Sequence, residues 1–159
     1  MPLVWRLVPP EFASVLNGKG NIERGARWNS PGRGVVYGSF NLSLCVLESL
    51  AQMPLPLRMN LPELAAVRIE VPDDIPSRDV ELADLPGELD GEETRRRCRE
   101  IGDAWLAGEE ELVLTAPSII VPQERNVMIN PAHPLMAEVK IVATERFRFD
   151  ARLAAVTPH

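Results

Sequence analysis

The sequence predicts an α+β fold in a single domain spanning residues 1–159. About seven short segments have the composition or alternation of β-strands, and only two longer stretches have the apolar spacing of helices. These segments do not alternate strictly between strand and helix, as they would in a doubly wound α/β sheet. A chain of 159 residues is also long enough for one domain with a substantial core.

The predicted strands are short and have clear boundaries. Residues 3–8 are mostly apolar and end at Pro9-Pro10, while residues 67–71 alternate strictly between apolar and polar side chains. Two pieces are expected within residues 111–121, separated at Ala116-Pro117. The remaining strands are expected at residues 35–37, 127–129, 139–142 and 146–149, with a shorter one near 80–82 in a loop rich in Pro and Asp.

Two helices are predicted from capping signals and apolar spacing. The first spans residues 42–53, with Asn41 or Ser43 as its N-cap and prolines after its end. The second begins near residues 90–93, where Asp90 precedes a glutamate by three positions, and stops at Gly108. The apolar stripe of the second helix consists of Cys98, Ile101, Trp105 and Leu106.

Composition narrows the classes of function. The net charge of -6 and pI of about 5.0 disfavour a nucleic-acid binder, which needs basic residues massed on one face. Cys45 and Cys98 lie far apart and outside any C-x-x-C motif, which indicates reduced, buried thiols and a cytoplasmic protein. We expect no membrane association, because the chain has no signal-peptide pattern and no apolar run long enough to span a bilayer.

Several familiar chemistries are absent from the sequence. His133 and His159 are the only histidines, and no Cys/His cluster has zinc-binding spacing, so we expect no metal site. The sequence contains no G-x-S-x-G, no Walker loop and no G-x-G-x-x-G between a strand and a helix. We expect His133 to make a structural hydrogen bond.

Residues 24–52 carry the candidate functional groups. A cationic loop, residues 25–34, leads into the strand at 35–37, and a turn at Gly38-Ser39 then leads into the first helix, which contains Glu48. Loop, strand and helix together can bring a guanidinium, a phenol and a carboxylate around one cleft. Such a set suits a substrate that carries both phosphate and sugar.

The residues of this stretch resemble the signature of RES-domain toxins. The motif G-A-R-W-N-S-P-G-R-G-V-V-Y at residues 25–37, with Glu48 after it, is similar to that of the family. Four further blocks follow in family order and extend the resemblance over about residues 3–153. They are I-G-D-A-W-L at 101–106, A-P-S-I-I-V-P at 116–122, E-R-N-V-M-I-N-P-A-H-P at 124–134 and F-R-F-D-A-R-L at 147–153.

The resemblance implies a fold, a substrate and a partner. RES domains resemble ADP-ribosyltransferases, with a split, mostly antiparallel sheet and flanking helices around an NAD cleft. They degrade NAD and arrest the growth of the bacterium. The implied partner is an Xre-like DNA-binding antitoxin that covers the cleft, with a homodimer possible within the complex. NAD is then a substrate rather than a permanently bound cofactor, with inorganic phosphate as an optional co-substrate.

By match to the family, four catalytic residues are expected: Arg27, Tyr37, Glu48 and Ser118. The expected substrate-binding residues are Arg6, Arg27, Tyr37, Ser118 and Asn130. Two positions depart from the family pattern, because Ala26 replaces a glycine and Asn21 replaces an alanine upstream of the loop. Ala26 is a small change unless its position requires positive φ.

These residue types suit cleavage of NAD between nicotinamide and ribose. That reaction passes through an oxocarbenium-like transition state, whose positive charge a carboxylate such as Glu48 can stabilise. Arg27 can bind the pyrophosphate with two parallel hydrogen bonds, and Tyr37 can stack on the nicotinamide ring. Ser118 can donate to ribose or phosphate. Water, phosphate and a protein side chain all remain open as the acceptor of ADP-ribose.

Without the resemblance, each candidate has an ordinary structural interpretation. Glu48 lies at the border of the apolar helix face and would be solvated, Arg27 would be a surface charge, and Ser118 a turn residue. The cluster Arg95-Arg96-Arg97 with Arg99 would be a solvated helix face. Two alternatives to an NAD-degrading toxin therefore remain: a non-catalytic, partner- or nucleotide-binding protein of the same fold, and a protein ADP-ribosyltransferase.

Overall fold

A single mixed sheet dominates the computed structural model, which describes residues 3–156. Its strands, in chain order, are β1 (Val4–Val8), β2 (Val36–Ser39), β3 (Leu64–Glu70), β4 (Ser77–Asp79), β5 (Val113–Pro117), β6 (Arg125–Ile129) and β7 (Lys140–Phe147). The spatial order is β4-β5-β6-β2-β1-β3-β7, and only β4 and β5 pair in parallel. The predicted α+β class with a mostly antiparallel sheet is confirmed.

The sheet is nearly divided between its two central strands. β1 and β2 pair at one register position, Trp5 with Ser39, whereas β1 and β3 pair along their whole length from Val4 to Val8. A Cβ atom on Gly38 would lie 2.5 Å from the Trp5 carbonyl oxygen, so glycine allows this close crossing. The predicted turn at Gly38-Ser39 is therefore wrong, because both residues belong to β2. The two strands separate beyond this crossing and leave an opening in the sheet.

Helix α1 (Leu42–Gln52) follows β2 and matches its prediction. Asn41 is its N-cap, and its side chain accepts a hydrogen bond of 2.8 Å from the Leu44 amide. The prolines that end α1 also begin a short helix that the sequence analysis missed, α2 (Leu55–Met59), since proline is tolerated in a first helical turn.

Helix α3 (Glu92–Gly108) is as expected in its body but not at its ends. Its N-cap is Gly91, without a side-chain capping bond, so Asp90 does not cap it. Gly108 is still helical, and the residue that takes the left-handed conformation after it is Glu109, with φ of 53°. The predicted apolar stripe is confirmed, since all four of its residues are buried.

Three strand predictions also need correction. Residues 139–142 and 146–149 were expected as two strands but belong to the single strand β7, because β3 pairs with it continuously apart from a bulge at Arg68/Ile69. The strand expected near 80–82 is β4, at residues 77–79. The second extended piece expected after Pro117 is instead a turn built around Ser118.

The alternating side chains of β5 and β6 supply two separate apolar cores. Val113 and Val127 point to the core shared with β1 and β3. Leu114 and Met128 point to the opposite face, where they pack with the apolar stripe of α3, Trp28 and Val35. Helix α3 is thereby placed against the cationic loop. Cys45 and Cys98 are both free and buried, as the sequence predicts.

Two residues of the I-G-D-A-W-L block attach α3 to the cationic loop. A Cβ atom on Gly102 would lie 1.7 Å from the Trp28 carbonyl oxygen, so only glycine allows the loop backbone to approach this closely. The next residue, Asp103, accepts two hydrogen bonds from Ser30 through its carboxylate, one of 2.9 Å from the Ser30 amide and one of 2.5 Å from the Ser30 hydroxyl. The block is thus a docking surface for the loop.

We expect Gly102→Ala to lower the free energy of unfolding by about 1–3 kcal/mol or more, because the new methyl group collides with main-chain atoms that cannot rotate away. Gly108→Ala is the matched control, since a Cβ atom there meets nothing within 4 Å and the residue lies on the same helix. Urea unfolding of both variants measures the difference. Equal stabilities for the two variants would contradict the close approach at Gly102.

Candidate functional site

A cleft of about 750 Å³ lies between β1, β2, α1 and the cationic loop. Four of the predicted site residues line it, each from a different element: Arg6, Arg27, Tyr37 and Glu48. The opening between β1 and β2 supplies its floor, because Leu7 and Val8 on one strand and Gly38 and Ser39 on the other all face it.

The Glu48 carboxylate is held by two side chains from distant parts of the chain. Its Oε1 accepts 2.8 Å hydrogen bonds from Ser118 Oγ and from Asn126 Nδ2. Its Oε2 accepts no hydrogen bond from the residues that the structure describes. One oxygen is therefore fixed and the other is available to a ligand in the cleft, which differs from a solvated residue at a helix border.

Ser118 lies behind Glu48 and does not line the cleft. The residue is fully buried, and its hydroxyl donates to Glu48 and accepts from the amides of Ile120 and Val121, each at 3.1 Å. A hydroxyl group has one donor and two acceptor sites, and all three are used here. The geometry gives Ser118 a positioning role toward Glu48.

Asn126 is a site residue that the sequence analysis did not single out. It lines the cleft from β6, donates to Glu48, and accepts a 2.7 Å hydrogen bond from Ser39 Oγ. Asparagine is depleted in strands, so its occurrence just before the apolar run at 127–129 was the available signal.

The Tyr37 hydroxyl ties the cationic loop to β2. It donates to Asn29 Oδ1 at 2.5 Å and accepts from the Trp28 amide at 3.2 Å. Burial raises the pKa of Tyr37 well above its usual value, which the Trp28 hydrogen bond and the charges of Arg99 and Arg27 oppose only in part. The phenol therefore stays protonated and does not act as a base. Its ring is the part left to contact a ligand.

The upstream end of the loop is fixed by an amide side chain as well. Asn21 pairs with both backbone groups of Val35, donating to its carbonyl oxygen at 2.6 Å and accepting from its amide at 3.0 Å. Gly18 and Gly25 have positive φ and close backbone neighbours, whereas Ala26 has no positive φ. Alanine at position 26 is therefore compatible with the loop, and Asn21 forms part of the cleft rim.

Arg27 and Arg6 both line the cleft, but their guanidinium groups differ in their hydrogen-bond partners. Arg27 Nη1 is buried and has no hydrogen-bond partner among the described residues. Arg6 is 9% exposed and braces the chain after β1, because its Nη1 donates to the carbonyl oxygen of Val15 at 2.8 Å. Burial lowers the pKa of Arg6. Arg6 thus has a structural function in addition to lining the cleft.

Asn130 is not brought to this cleft. It lines a second hollow of about 420 Å³ with Gly34 and Leu106, and its Oδ1 accepts a 3.0 Å hydrogen bond from the Ala132 amide. His133, nearby, accepts a 3.0 Å hydrogen bond from the Leu135 amide through Nδ1, so the predicted structural role of this histidine is confirmed.

The arginines of α3 differ from one another in environment. Arg96 and Arg97 are exposed, as expected for a solvated helix face, and Arg97 pairs with Glu100 at 3.5 Å. Arg95 instead lines the cleft, and Arg99 is half-buried with its Nε lacking both solvent contact and a partner. Arg95 is exposed, as expected, although it also lines the cleft, so the interpretation as a solvated face is wrong only for Arg99.

Neither a metal cluster nor a membrane span is found in the part of the chain that the structure describes. No group of three or more His, Cys, Asp or Glu side chains there is arranged to hold a metal ion. No helix within residues 3–156 is long and apolar enough to cross a bilayer.

The mostly antiparallel sheet, nearly divided between β1 and β2, and the cleft lined by Arg27, Tyr37 and Glu48 define an α+β protein. Residues 3–150 match the model of the RES domain, and the chain belongs to that family. It is 34% identical over 147 residues to the Prs ADP-ribosylating toxin of Sphingobium sp. (strain YBL2), covering 89% of this chain and 88% of that protein. It is 30% identical over 153 residues to Toxin Res of Yersinia enterocolitica, covering 95% of this chain and 99% of that protein.

A solved structure has the same fold. The M. tuberculosis MbcT-MbcA toxin-antitoxin complex contains a chain that superposes with a TM-score of 0.72 at 13% identity, covering 92% of this chain and 84% of that chain. The expected likeness to RES-family toxins is thus confirmed by sequence and by fold.

Because the chain contains one tyrosine, its tyrosinate absorbance reports Tyr37 alone. We expect Tyr37 in the folded protein not to ionise at about pH 10, which is the ordinary pKa of a tyrosine side chain. In urea the same chain titrates normally. The folded pKa lies above the unfolded one, so stability is complete below about pH 10 and decreases as the pH rises further. Ionisation at the same pH in both states would contradict the buried hydrogen-bonded phenol.

Proposed function

We propose that this protein is the toxin of a toxin–antitoxin pair and that it cleaves the bond between nicotinamide and ribose in NAD. The observation that carries the proposal is the Glu48 carboxylate, held through Oε1 with Oε2 available in a cleft that also contains Arg27 and Tyr37. The names of the relatives, which are toxins, support the first part of the proposal.

The reaction requires stabilisation of positive charge more than proton transfer. When the C–N bond breaks, its electron pair passes to the nicotinamide nitrogen, which is cationic in NAD and leaves as a neutral ring without being protonated. Positive charge then develops on the ribose, as in glycoside hydrolysis. Glu48 Oε2 is the group that stabilises this charge, and its fixed position avoids reorganisation during the reaction. Water or phosphate then bonds to the ribose carbon, and the proton that water loses passes to Glu48 or solvent.

The other residues bind and orient. The Tyr37 ring offers a stacking surface for nicotinamide, because its hydroxyl is already engaged. Arg27 offers a guanidinium to the pyrophosphate. Ser118 and Asn126 act through Glu48, since both donate to its Oε1. Asn130 takes no part in this scheme.

The proposed partner is an Xre-like DNA-binding antitoxin that covers the cleft. A structural neighbour of this chain is part of a toxin–antitoxin complex. Such a partner would keep NAD from the site by occupying its opening, and the toxin would act in the cytoplasm after the partner is lost.

A second candidate function is transfer of ADP-ribose to a protein. It is favoured by the 34% identical relative, which is named an ADP-ribosylating toxin. The two candidates share the first step, cleavage at the ribose carbon, and differ only in the nucleophile that follows.

Incubation of the purified, antitoxin-free protein with NAD tests both candidates. Chromatography is expected to show nicotinamide with ADP-ribose in plain buffer, or ADP-ribose-1″-phosphate only when phosphate is present. Nicotinamide release only with cell extract, together with labelled protein from labelled NAD, would identify the transferase. Intact NAD under all three conditions would refute the proposal and leave a non-catalytic binding protein.

We expect Glu48→Gln to slow NAD turnover by about 10²–10³-fold, because the variant keeps its shape but loses the charge that stabilises the transition state. Its thermal melt should stay close to that of the wild type, since the amide oxygen can still accept from Ser118 and Asn126. Glu145→Gln is the control, a charge-matched change at an exposed position of β7. Wild-type turnover in a folded Glu48→Gln variant would remove Glu48 from the mechanism.

A further inference from the structure

The α3 side of the cleft carries positive charge that no carboxylate within residues 3–156 pairs with. Arg27 Nη1 and Arg99 Nε are buried without a hydrogen-bond partner, and Arg95 lines the cleft. None of these three residues belongs to an ion pair within residues 3–156. This local excess occurs in a chain whose net charge is -6.

Arg27 and Arg95 line the same cleft, and Arg99 lies on α3 close to Tyr37 without lining the cleft. Arg95 and Arg99 are four residues apart on α3 and so share one face of the helix. Burial raises the pKa of Tyr37, and the charges of Arg99 and Arg27 both act against that shift, which places both cations near the phenol. Arg27 reaches the same region from the opposite side, because Gly102 brings the cationic loop against α3.

The nearby carboxylate on α3 is not their counter-ion. Asp103 lies one turn beyond Arg99, but its two oxygens accept hydrogen bonds from the Ser30 amide and hydroxyl. A buried cationic group without a partner is unfavourable unless something compensates it. Among residues 3–156, no carboxylate therefore forms an ion pair with these three arginines.

We propose that Arg27, Arg95 and Arg99 form a phosphoryl-binding wall that binds the pyrophosphate of a dinucleotide. Guanidinium groups match phosphoryl oxygens with paired hydrogen bonds, and two or three of them can share four or more oxygens. This inference deepens the proposed function, on which the identification of the dinucleotide as NAD rests. A free phosphate ion is a second source of the same chemistry, and the experiment distinguishes the two.

Calorimetric titration with ADP-ribose tests the wall without requiring turnover. ADP-ribose carries the pyrophosphate but has no nicotinamide to lose, and adenosine serves as the ligand without phosphoryl groups. We expect Arg95→Gln and Arg99→Gln each to weaken ADP-ribose binding by about tenfold, the effect of losing one charge-assisted hydrogen bond. Adenosine binding should not change.

Arg96→Gln is the matched control, because it removes the same charge from the same helix. Arg96 is exposed and does not line the cleft. Wild-type ADP-ribose affinity in this variant, beside weakened binding in Arg95→Gln, would support a local site. Equal weakening in both would overturn it, since general attraction between charges would then explain the result. Arg95 is exposed, so its replacement does not endanger folding.

Titration with inorganic phosphate shows whether the wall binds the pyrophosphate of a dinucleotide or a free phosphate ion. If Arg95→Gln weakens phosphate binding but leaves ADP-ribose affinity intact, the wall holds a free phosphate ion and the dinucleotide assignment is wrong. If neither ligand is affected by either variant, the wall does not bind phosphoryl groups. Failure of NAD cleavage would appear as intact NAD with ADP-ribose binding retained, so the proposed function and the wall are tested separately.

Discussion

The hydrogen bond between the Tyr37 hydroxyl and Asn29 Oδ1 anchors the cationic loop, and the loop carries Arg27 into the cleft. Asn29 is fully buried and donates onward to the Arg33 carbonyl oxygen at 2.7 Å, which closes the loop on itself. On its far side the loop is held by Ser30 and Asp103. Arg27 lies in the turn closed by the bridge between Ala26 and Asn29, directly before these attachments, so a segment without regular secondary structure holds a cation in a defined place.

The elements that were predicted correctly are those whose signals are local. β1, β3 and α1 follow from alternation, proline boundaries and an asparagine cap, which all act within a few residues. Errors arose where tertiary structure overrides a local signal. Gly38 was interpreted as a turn residue, but it allows β2 to cross β1 closely. The break assigned within residues 139–149 does not exist, because β3 pairs along that whole stretch.

The site was predictable only in part, for the same reason. The resemblance to RES-domain toxins pointed to Arg27, Tyr37 and Glu48, and all three line one cleft. Helix periodicity alone made Glu48 a solvated residue, because the side chains that hold it, from Ser118 and Asn126, lie 70 and 78 positions further along the chain. Arg95 is exposed as expected, but no local pattern shows that it also lines the cleft.

The cleft is lined by both a carboxylate and guanidinium groups, and within residues 3–156 they form no ion pair with one another. Glu48 keeps one carboxylate oxygen without a hydrogen bond from the described residues, while Arg27 and Arg99 keep buried nitrogen atoms without partners. Pairing these groups within the protein would satisfy them, and unpaired charged groups in a cleft are typical of ligand-binding sites. A dinucleotide has the complementary polarity, with negative charge on its pyrophosphate and positive charge developing on the ribose that loses its base. In the proposed function, the cations would bind the pyrophosphate and the carboxylate would stabilise the ribose during the chemical step.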